Sequence, residues 1–262
     1  MKEFGYPVFD ENGEEILCTY SGDYSHMNMD VRVYRMNNED KKLFCRDDEE
    51  CAVLLMKGEV EFRLTKSDKV LHAKRESVFV PGSYAAHVSA GYGIEIECFK
   101  DGSEILVQCT KNTKFFEGKL YEPENVPFHT TGKGEMGDHQ VRQVNTIFGK
   151  ESEPESNMVL GEILNNPGCW SGYPPHRHPQ PELYYFRIDH KDGFGASFVD
   201  DKVYKIVDNS YSAIPGGAVH PQSVAPGFRL WTAWMIRHND DDPWLETSRF
   251  EDSRYSFLHD VK

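Results

Sequence analysis

Long hydrophobic runs are absent from this chain of 262 residues. No stretch approaches the roughly 18 to 20 consecutive apolar residues that a membrane-spanning helix needs. The first residues, Met-Lys-Glu-Phe-Gly-Tyr-Pro, also lack the apolar centre of a signal peptide. The sequence therefore predicts a cytoplasmic protein that does not contact a membrane.

Paired cysteines and an excess of basic residues are missing as well. The 6 cysteines include no Cys-x-x-Cys pair, and a chain of this length does not depend on disulfides, so we expect reduced thiols. The chain carries 43 acidic and 29 basic residues, a formal net charge of −14, which argues against binding to nucleic acid or to an anionic membrane surface. An anionic substrate would need a local basic group, for which Arg142, Arg187 and Arg229 are candidates.

An apolar period of 3.6 residues is not sustained anywhere, whereas short runs rich in β-branched and aromatic residues recur between turn-forming clusters. This pattern predicts an all-β protein. In the first half, residues 52–64 are typical of two strands that meet at a Lys57-Gly58 turn, and residues 77–82 of a strand stopped by a turn. The second half repeats this alternation of strands and turns.

A segment rich in glycine, proline and charge, near residues 120–140, separates the two halves. We therefore expect one β domain over residues 1–125 and a second over residues 126–262. The tail after His238 carries many charges and indicates a cap or a short helical ending with a solvated face.

The histidines of the second half show the spacing of metal ligands. His176 and His178 lie two residues apart, so on an extended strand their side chains fall on the same face. Glu182 lies four residues beyond His178, which is again an even offset. Pro179 and Pro181 interrupt this segment, so the sequence does not decide whether one regular strand or a broken one leads to Glu182.

A third histidine, His220, follows the Pro-Gly-Gly turn of residues 215–217, which redirects the chain. Three imidazoles and one carboxylate suit zinc, iron, nickel, cobalt or manganese, with positions left open for substrate. The four residues predict a site for one divalent metal ion, and the alternative is a site that keeps them as hydrogen-bonding groups. In the first half His87 has no His-x-His pair before it, so we expect a first domain without metal.

The pattern His-x-His-x3-Glu followed by Pro-x-Gly-x2-His resembles the two motifs of the cupin superfamily. This resemblance implies a bicupin, made of two jelly-roll β-barrels, with the metal inside the second barrel. The cupin pattern usually has a glycine where this chain has Asn209, and asparagine also tolerates a positive φ.

A narrower resemblance extends over residues 141–227. It is carried by Trp170-Ser-Gly-Tyr-Pro-Pro-His-Arg-His178, Glu182-Leu-Tyr-Tyr185 and Ala225-Pro-Gly227. Through these segments the chain is similar to the 5-deoxy-glucuronate isomerases (IolB) of bacterial myo-inositol catabolism. The resemblance implies a metal-dependent aldose–ketose isomerase that converts a small anionic sugar acid, 5-deoxy-glucuronate, to 2-deoxy-5-keto-gluconate. It leaves open whether the chain forms a homo-oligomer.

Four side chains near the predicted ligands are candidates for substrate chemistry. If Glu182 points into the barrel, alternation sends Tyr184 inward with it, as a catalytic phenol or as an aromatic that only fills the barrel. Arg142 can clamp a carboxylate through a bidentate fork, although a surface ion pair explains it as well. Tyr173 and Arg187 are the further substrate-binding candidates.

The expected reaction suits such a site. Exchange between an aldose and a ketose removes a proton from a carbon next to a carbonyl, and a divalent ion can stabilise the resulting enediolate as a Lewis acid. Hydride transfer between the two carbons is the competing mechanism, and the sequence does not separate the two. The alternative functions on the same scaffold are a cupin dioxygenase and a sugar-binding cupin without turnover.

Overall fold

The computed structural model describes residues 1–260, and strands dominate their regular structure, as the sequence predicts. The strands of the first half are β1 (Phe4–Gly5), β2 (Glu14–Cys18), β3 (Asp30–Met36), β4 (Lys41–Cys45), β5 (Glu49–Leu64), β6 (Val70–Arg75), β7 (Ala85–Val88), β8 (Gly93–Cys98), β9 (Ser103–Lys111) and β10 (Lys119–Tyr121). Those of the second half are β11 (His129–Thr131), β12 (Arg142–Phe148), β13 (Met158–Asn165), β14 (Trp170–Ser171), β15 (His176–Arg177), β16 (Glu182–Ile188), β17 (Gly195–Val199), β18 (Lys202–Ile206), β19 (Ser210–Ile214), β20 (Gln222–Val224), β21 (Leu230–Arg237) and β22 (Phe250–Glu251).

Helical structure within residues 1–260 consists of short 3-10 segments at Gly22–Met27, Met136–Asp138, Glu246–Ser248 and Ser253–Asp260. Over this part of the chain, no helix has both the length and the apolar character required to cross a membrane.

The strands form two barrels, each built from two sheets. In the first barrel one sheet has the order β10-β7-β5-β9-β3-β2, and the far part of β5 pairs with β6 and β8 in the other, where β8 also pairs with β4. In the second barrel the larger sheet has the order β1-β19-β16-β21-β13-β12-β11, and the smaller has the order β14-β20-β17-β18. The candidate ligands lie on β15 and just after it, at the start of β16 in the larger sheet, and just before β20 in the smaller sheet.

Strand β5 passes from one sheet of the first barrel into the other. Its register with β9 shifts between Leu55 and Lys57, and Gly58 has a φ of +108°. A Cβ added to Gly58 would lie 2.0 Å from the Ser103 Oγ, so no larger residue fits there. Because the bulge and the glycine bend the strand without reversing it, the predicted turn at Lys57-Gly58 is wrong: residues 52–64 lie in one continuous strand.

Buried apolar side chains form a core inside each barrel and a third layer between them, which we call the inter-barrel layer. Alternation along β21 shows the division: Trp231, Ala233 and Met235 enter the inter-barrel layer, whereas Trp234 and Ile236 face the inside of the second barrel. Because strands such as β21 are buried on both faces, both sets of alternating side chains are apolar, and the sequence shows short continuous apolar runs there.

The expected strand at residues 77–82 is wrong as well. The Ser77 Oγ accepts a hydrogen bond from the Phe79 N–H (3.0 Å), and the Ser77 carbonyl accepts one from the Val80 N–H (3.3 Å). Local hydrogen bonds of this kind favour a turn over a strand. Val78 and Phe79 instead pack into and against the inter-barrel layer.

The first strand belongs to the second barrel. Phe4 and Gly5 pair with Ser212 and Tyr211 of β19, and the Phe4 ring stacks on Tyr204 with centroids 5.0 Å apart. The predicted assignment of all of residues 1–125 to the first domain is therefore wrong for this strand. The predicted boundary at residue 126 lies in the connection between β10 and β11.

A buried carboxylate with three cationic partners helps to join the barrels. Glu104 on β9 lies 2.8 Å from Arg35, 3.2 Å from Lys57 and 2.8 Å from Arg187 of β16 in the other barrel. Burial alone would raise the pKa of Glu104, but the charges and hydrogen bonds of these cations lower it below the usual 4.5. The lowered pKa means that ionised Glu104 stabilises the folded state. This contribution is fully present above pH 4.5 and is lost as the pH falls through the pKa of Glu104 in the folded protein.

We expect Glu104→Gln to lower the free energy of unfolding at neutral pH by about 1–3 kcal/mol, because charge-assisted hydrogen bonds are lost in a buried site. The difference from wild type should shrink as the pH falls below 4.5, because the Glu104 carboxylate of the unfolded wild-type chain then becomes protonated before that of the folded protein. Urea unfolding across this pH range measures both effects. Glu97→Gln, which removes an exposed pair with Lys41, is the control with little change at any pH. A pH-independent deficit in Glu104→Gln would contradict the account.

Candidate metal centre

A close approach of two loops brings the candidate ligands together. The turn after β19 lies on the loop that follows β15, since the Gly217 N–H donates to the His178 carbonyl at 2.7 Å. A Cβ added to Gly216 would lie 2.0 Å from the Pro179 carbonyl oxygen, so a glycine is required there. The contact places His220, just before β20, beside the histidines of the β15 segment. Glu182 enters the same space at the start of β16.

Three of the four candidate ligands form a compact buried group. The Nε2 atoms of His178 and His220 each lie 3.1 Å from the Glu182 Oε2, and the ligand atoms of these three residues are all within 4.8 Å of one another. His176 lies beside this group, with its ring centroid 4.9 Å from that of His220 and 6.4 Å from that of His178. All four side chains are buried.

Backbone carbonyl groups define the orientation of the three imidazoles. Each Nδ1 lies within hydrogen-bonding distance of a carbonyl oxygen two residues away, at Pro174 for His176 (3.2 Å), at Gln180 for His178 (3.0 Å) and at Ala218 for His220 (2.8 Å). A carbonyl oxygen only accepts, so each Nδ1 carries the hydrogen and each Nε2 keeps a free lone pair. A hydrogen bond from the ring nitrogen that does not bind the ion is typical of histidines that bind metals.

The contact between His220 and Glu182 then needs a cation. The His220 Nε2 is buried without a hydrogen-bond partner, yet it lies 3.1 Å from a carboxylate oxygen. Two lone-pair donors at this distance repel each other unless a proton or a metal ion lies between them. The donor set of three nitrogens and one carboxylate fits a divalent transition ion.

Electrostatics hold the site in the ionisation state that a metal requires. Burial would raise the pKa of Glu182, but its contacts with the imidazoles of His178 and His220 lower it to about 2, so the carboxylate is charged. Burial, together with the nearby His220 and Arg249, lowers the pKa of His176 to about 2, so this imidazole is neutral. Metal ligands must be deprotonated in this way.

A cavity of about 350 Å³ opens onto the ligands. This volume is within the range of small-molecule sites. Trp234, Trp244 and Tyr184 form much of its aromatic wall, and its charged lining residues besides Glu182 are Arg142, Lys150, Glu151, Glu246 and Arg249. The overall charge of the chain is negative, but three cationic side chains reach this cavity.

Two of the further predicted site residues lie at the cavity. Tyr184 is buried, with its ring centroid 5.9 Å from that of His220, and both burial and the Glu182 charge raise its pKa, so the phenol stays protonated. Arg142 also lines the cavity, with its Nη1 donating to the Gln140 carbonyl at 2.8 Å. Burial and the nearby Arg249 charge lower the pKa of Arg142.

The other two predicted residues lie outside the cavity. Alternation along β16 turns Arg187 away from Glu182 and toward the first barrel. It lies 2.8 Å from Glu104 of that barrel and 2.8 Å from Asp208 of its own. Tyr173 packs beside Trp170, with ring centroids 5.6 Å apart, and does not line the cavity. We therefore drop both residues as substrate-binding candidates.

The tail contributes residues to the cavity that the sequence did not indicate. Trp244, Leu245, Glu246 and Arg249 all line it. The segment was expected to be a solvated cap because acidic residues dominate it. The signal that was available is the basic residue Arg249, next to Phe250, among those acidic residues.

Comparison with known proteins identifies relatives of this chain. A protein-family model described as the KduI/IolB family matches residues 7–253. A 5-deoxy-glucuronate isomerase from Geobacillus kaustophilus is 26% identical over 230 residues, which cover 78% of this chain and 80% of the relative. A protein of the same name from Geobacillus thermodenitrificans is 24% identical over 227 residues, covering 77% and 80%.

Solved structures share the fold. An IolB-like protein from Salmonella typhimurium LT2 superposes with a TM-score of 0.84 at 16% identity, covering 99% of this chain and all of that one. An oxalate decarboxylase from Lactobacillus farciminis gives a TM-score of 0.66 at 11% identity, covering 97% and 90%. These likenesses confirm the predicted fold of two jelly-roll barrels, and at such identity they bear on the fold alone.

Proposed function

Because the chain belongs to the KduI/IolB family, we propose that it is a metal-dependent aldose–ketose isomerase that converts 5-deoxy-glucuronate to 2-deoxy-5-keto-gluconate in myo-inositol catabolism. The curated relatives bear the name of an isomerase, which confirms the enzyme class predicted from the sequence. The observation that supports the metal-dependent reaction is the buried contact of the Glu182 carboxylate with two imidazole lone pairs at the base of a cavity with cationic walls.

His176, His178, Glu182 and His220 would hold the ion. When bound, a divalent ion supplies Lewis acidity to the carbonyl and hydroxyl oxygens of a sugar. The protein supplies three imidazoles with Nε2 atoms free to bind, one charged carboxylate and a cavity with aromatic walls. Zinc, manganese, iron, nickel and cobalt all suit these donors.

Tyr184 is the proposed catalytic residue. Its hydroxyl stays protonated because burial and the Glu182 charge raise its pKa, so it can donate a hydrogen bond to a substrate oxygen on which charge develops. Its position in the cavity, next to His220, places the phenol close to the proposed metal.

We expect Tyr184→Phe to reduce kcat by about 100-fold or more, the usual effect of removing a hydrogen-bond donor from an oxygen on which charge develops, with metal content unchanged. Steady-state kinetics and elemental analysis measure the two quantities. Tyr185→Phe is the matched control, since the Tyr185 hydroxyl faces the other side of β16 and donates to Glu15 or Asn209. That variant should lose about 1 kcal/mol of stability and keep its kcat. An unchanged kcat in Tyr184→Phe would refute the catalytic assignment.

The proposed reaction is tested by incubating metal-loaded protein with 5-deoxy-glucuronate under nitrogen and following the keto product by NMR. We expect turnover without oxygen. Turnover that requires oxygen would identify a dioxygenase, and tight binding of unreacted sugar acid would identify a binding protein. In deuterated water, label in the product would favour proton abstraction over hydride transfer.

A further inference from the structure

We propose that Arg249, from the tail of the chain, forms with Arg142 a carboxylate-binding site in the cavity and determines its preference for an anionic sugar over a neutral one. This inference rests on the proposed function, since it names the group of the substrate that the arginines recognise. Arg142 was a candidate from the sequence, whereas the pair and the role of the tail emerge from the structure.

Both guanidinium groups face the cavity without an acidic partner. Among the described residues, no carboxylate lies within ion-pair distance of Arg142 or Arg249, although Glu151 and Glu246 also line the cavity. Most other arginines of the chain are paired: Arg32 with Asp30, Arg35 with Glu104, and Arg229 with Asp189. Two neighbouring cations that repel each other and lack a counter-ion are a suitable place for an anion.

The unused donors of the two side chains support the same conclusion. Arg142 uses only its Nη1, which donates to the Gln140 carbonyl at 2.8 Å. The Nε of Arg249 is buried without a hydrogen-bond partner. A guanidinium has five N–H donors in a planar fork that matches the two oxygens of a carboxylate. A bound carboxylate would satisfy these donors and reduce the repulsion between the two arginines.

The contact of Arg249 with the candidate metal ligand His176 leaves this fork available. The Arg249 Nη2 lies 3.3 Å from the His176 Nδ1. That nitrogen is also 3.2 Å from the Pro174 carbonyl, to which it donates when Nε2 keeps its lone pair. Because a protonated nitrogen does not accept a second hydrogen, the Arg249 N–H has no acceptor there in the tautomer that binds a metal.

Backbone pairing fixes the position of Arg249. The next two residues form β22, in which Phe250 pairs with Arg177 and Glu251 pairs with His176. The Asp252 N–H then donates to the Pro175 carbonyl at 2.9 Å. The guanidinium is therefore carried by a backbone attached to the strand of the first candidate ligand, so the carboxylate site and the metal site keep a constant separation.

The test compares binding of D-glucuronate and D-glucose, which differ in a carboxylate at one carbon, to the metal-loaded protein by calorimetry. Wild type should prefer glucuronate. Arg249→Ala should weaken glucuronate binding by about 10- to 100-fold, leave glucose binding unchanged and retain the metal. Arg249→Lys keeps the charge without the planar fork, so its affinity for glucuronate should lie between those of wild type and Arg249→Ala. The control is Arg254→Ala, because Arg254 is exposed on the same segment and pairs with Asp252, so its loss should change nothing.

Several results would overturn the inference. Three results in Arg249→Ala would each show that Arg249 does not select the carboxylate. They are an equal loss of affinity for both sugars, loss of the metal, and unchanged affinity for glucuronate. The proposed function can fail separately. A preference for glucuronate that depends on Arg249, without turnover of 5-deoxy-glucuronate, would support the carboxylate site and refute the isomerase assignment. Turnover of 5-deoxy-glucuronate without that preference would support the isomerase assignment and refute the carboxylate site.

Discussion

The His178→Ala variant is expected to lose most of the metal that the wild-type protein binds. His178 belongs to the compact ligand group: its Nε2 is 3.1 Å from Glu182, and its Nδ1 is held at 3.0 Å by the Gln180 carbonyl. Removing it deletes one of four proposed ligands and leaves the Glu182 charge buried with fewer partners. Loss of the several kcal/mol that a bound ion contributes corresponds to at least about a 100-fold loss of turnover.

Elemental analysis after gel filtration measures the metal content, and the progress of the sugar reaction measures the turnover. His190→Ala is the matched control, because His190 is an exposed histidine of the same barrel near Asp192, so both quantities should match wild type. Near-stoichiometric metal in His178→Ala would contradict the ligand assignment.

The Arg75→Ala variant should lose about 3–5 kcal/mol of unfolding free energy, because it leaves an uncompensated buried charge between the barrels. Arg75 ends β6 of the first barrel and lies 2.7 Å from Glu162 of β13 in the second, and both side chains are almost fully buried. The Glu162 carboxylate also accepts hydrogen bonds from Trp231 at 2.7 Å and from Ser83.

Urea unfolding of wild type and variant measures this loss. The double variant Arg75→Met with Glu162→Gln removes both charges and keeps an acceptor for Trp231, so it should be more stable than Arg75→Ala. A change below about 1 kcal/mol in Arg75→Ala would show that the pair contributes little to the joining of the barrels.

Alternation and spacing allowed much of the second barrel to be predicted from the sequence. The two-residue period places Tyr184 at the cavity, while Tyr185 enters the inter-barrel layer. Asn209, which stands where the cupin pattern has glycine, has a φ of +59° as its tolerance of positive φ allowed. Local rules of this kind depend only on neighbouring residues, so a single sequence contains them.

Features that depend on distant contacts were not predictable in this way. Phe4 and Gly5 form a strand too short to show a period, and their partner β19 lies more than 200 residues away. Arg187 was a candidate for substrate binding until its partner Glu104, in the other barrel, became visible. Arg249 reaches the cavity only because β22 pairs with β15. In each case the decisive information is a partner that the local sequence does not specify.

Metal removal followed by metal return tests most directly whether the ligand group carries the isomerisation. Protein treated with a chelator is predicted not to convert 5-deoxy-glucuronate, and turnover should return in proportion to added zinc, manganese, iron, nickel or cobalt until one ion is bound per chain. Elemental analysis and NMR on the same samples provide both quantities. Full turnover by protein shown to be free of metal would contradict the account.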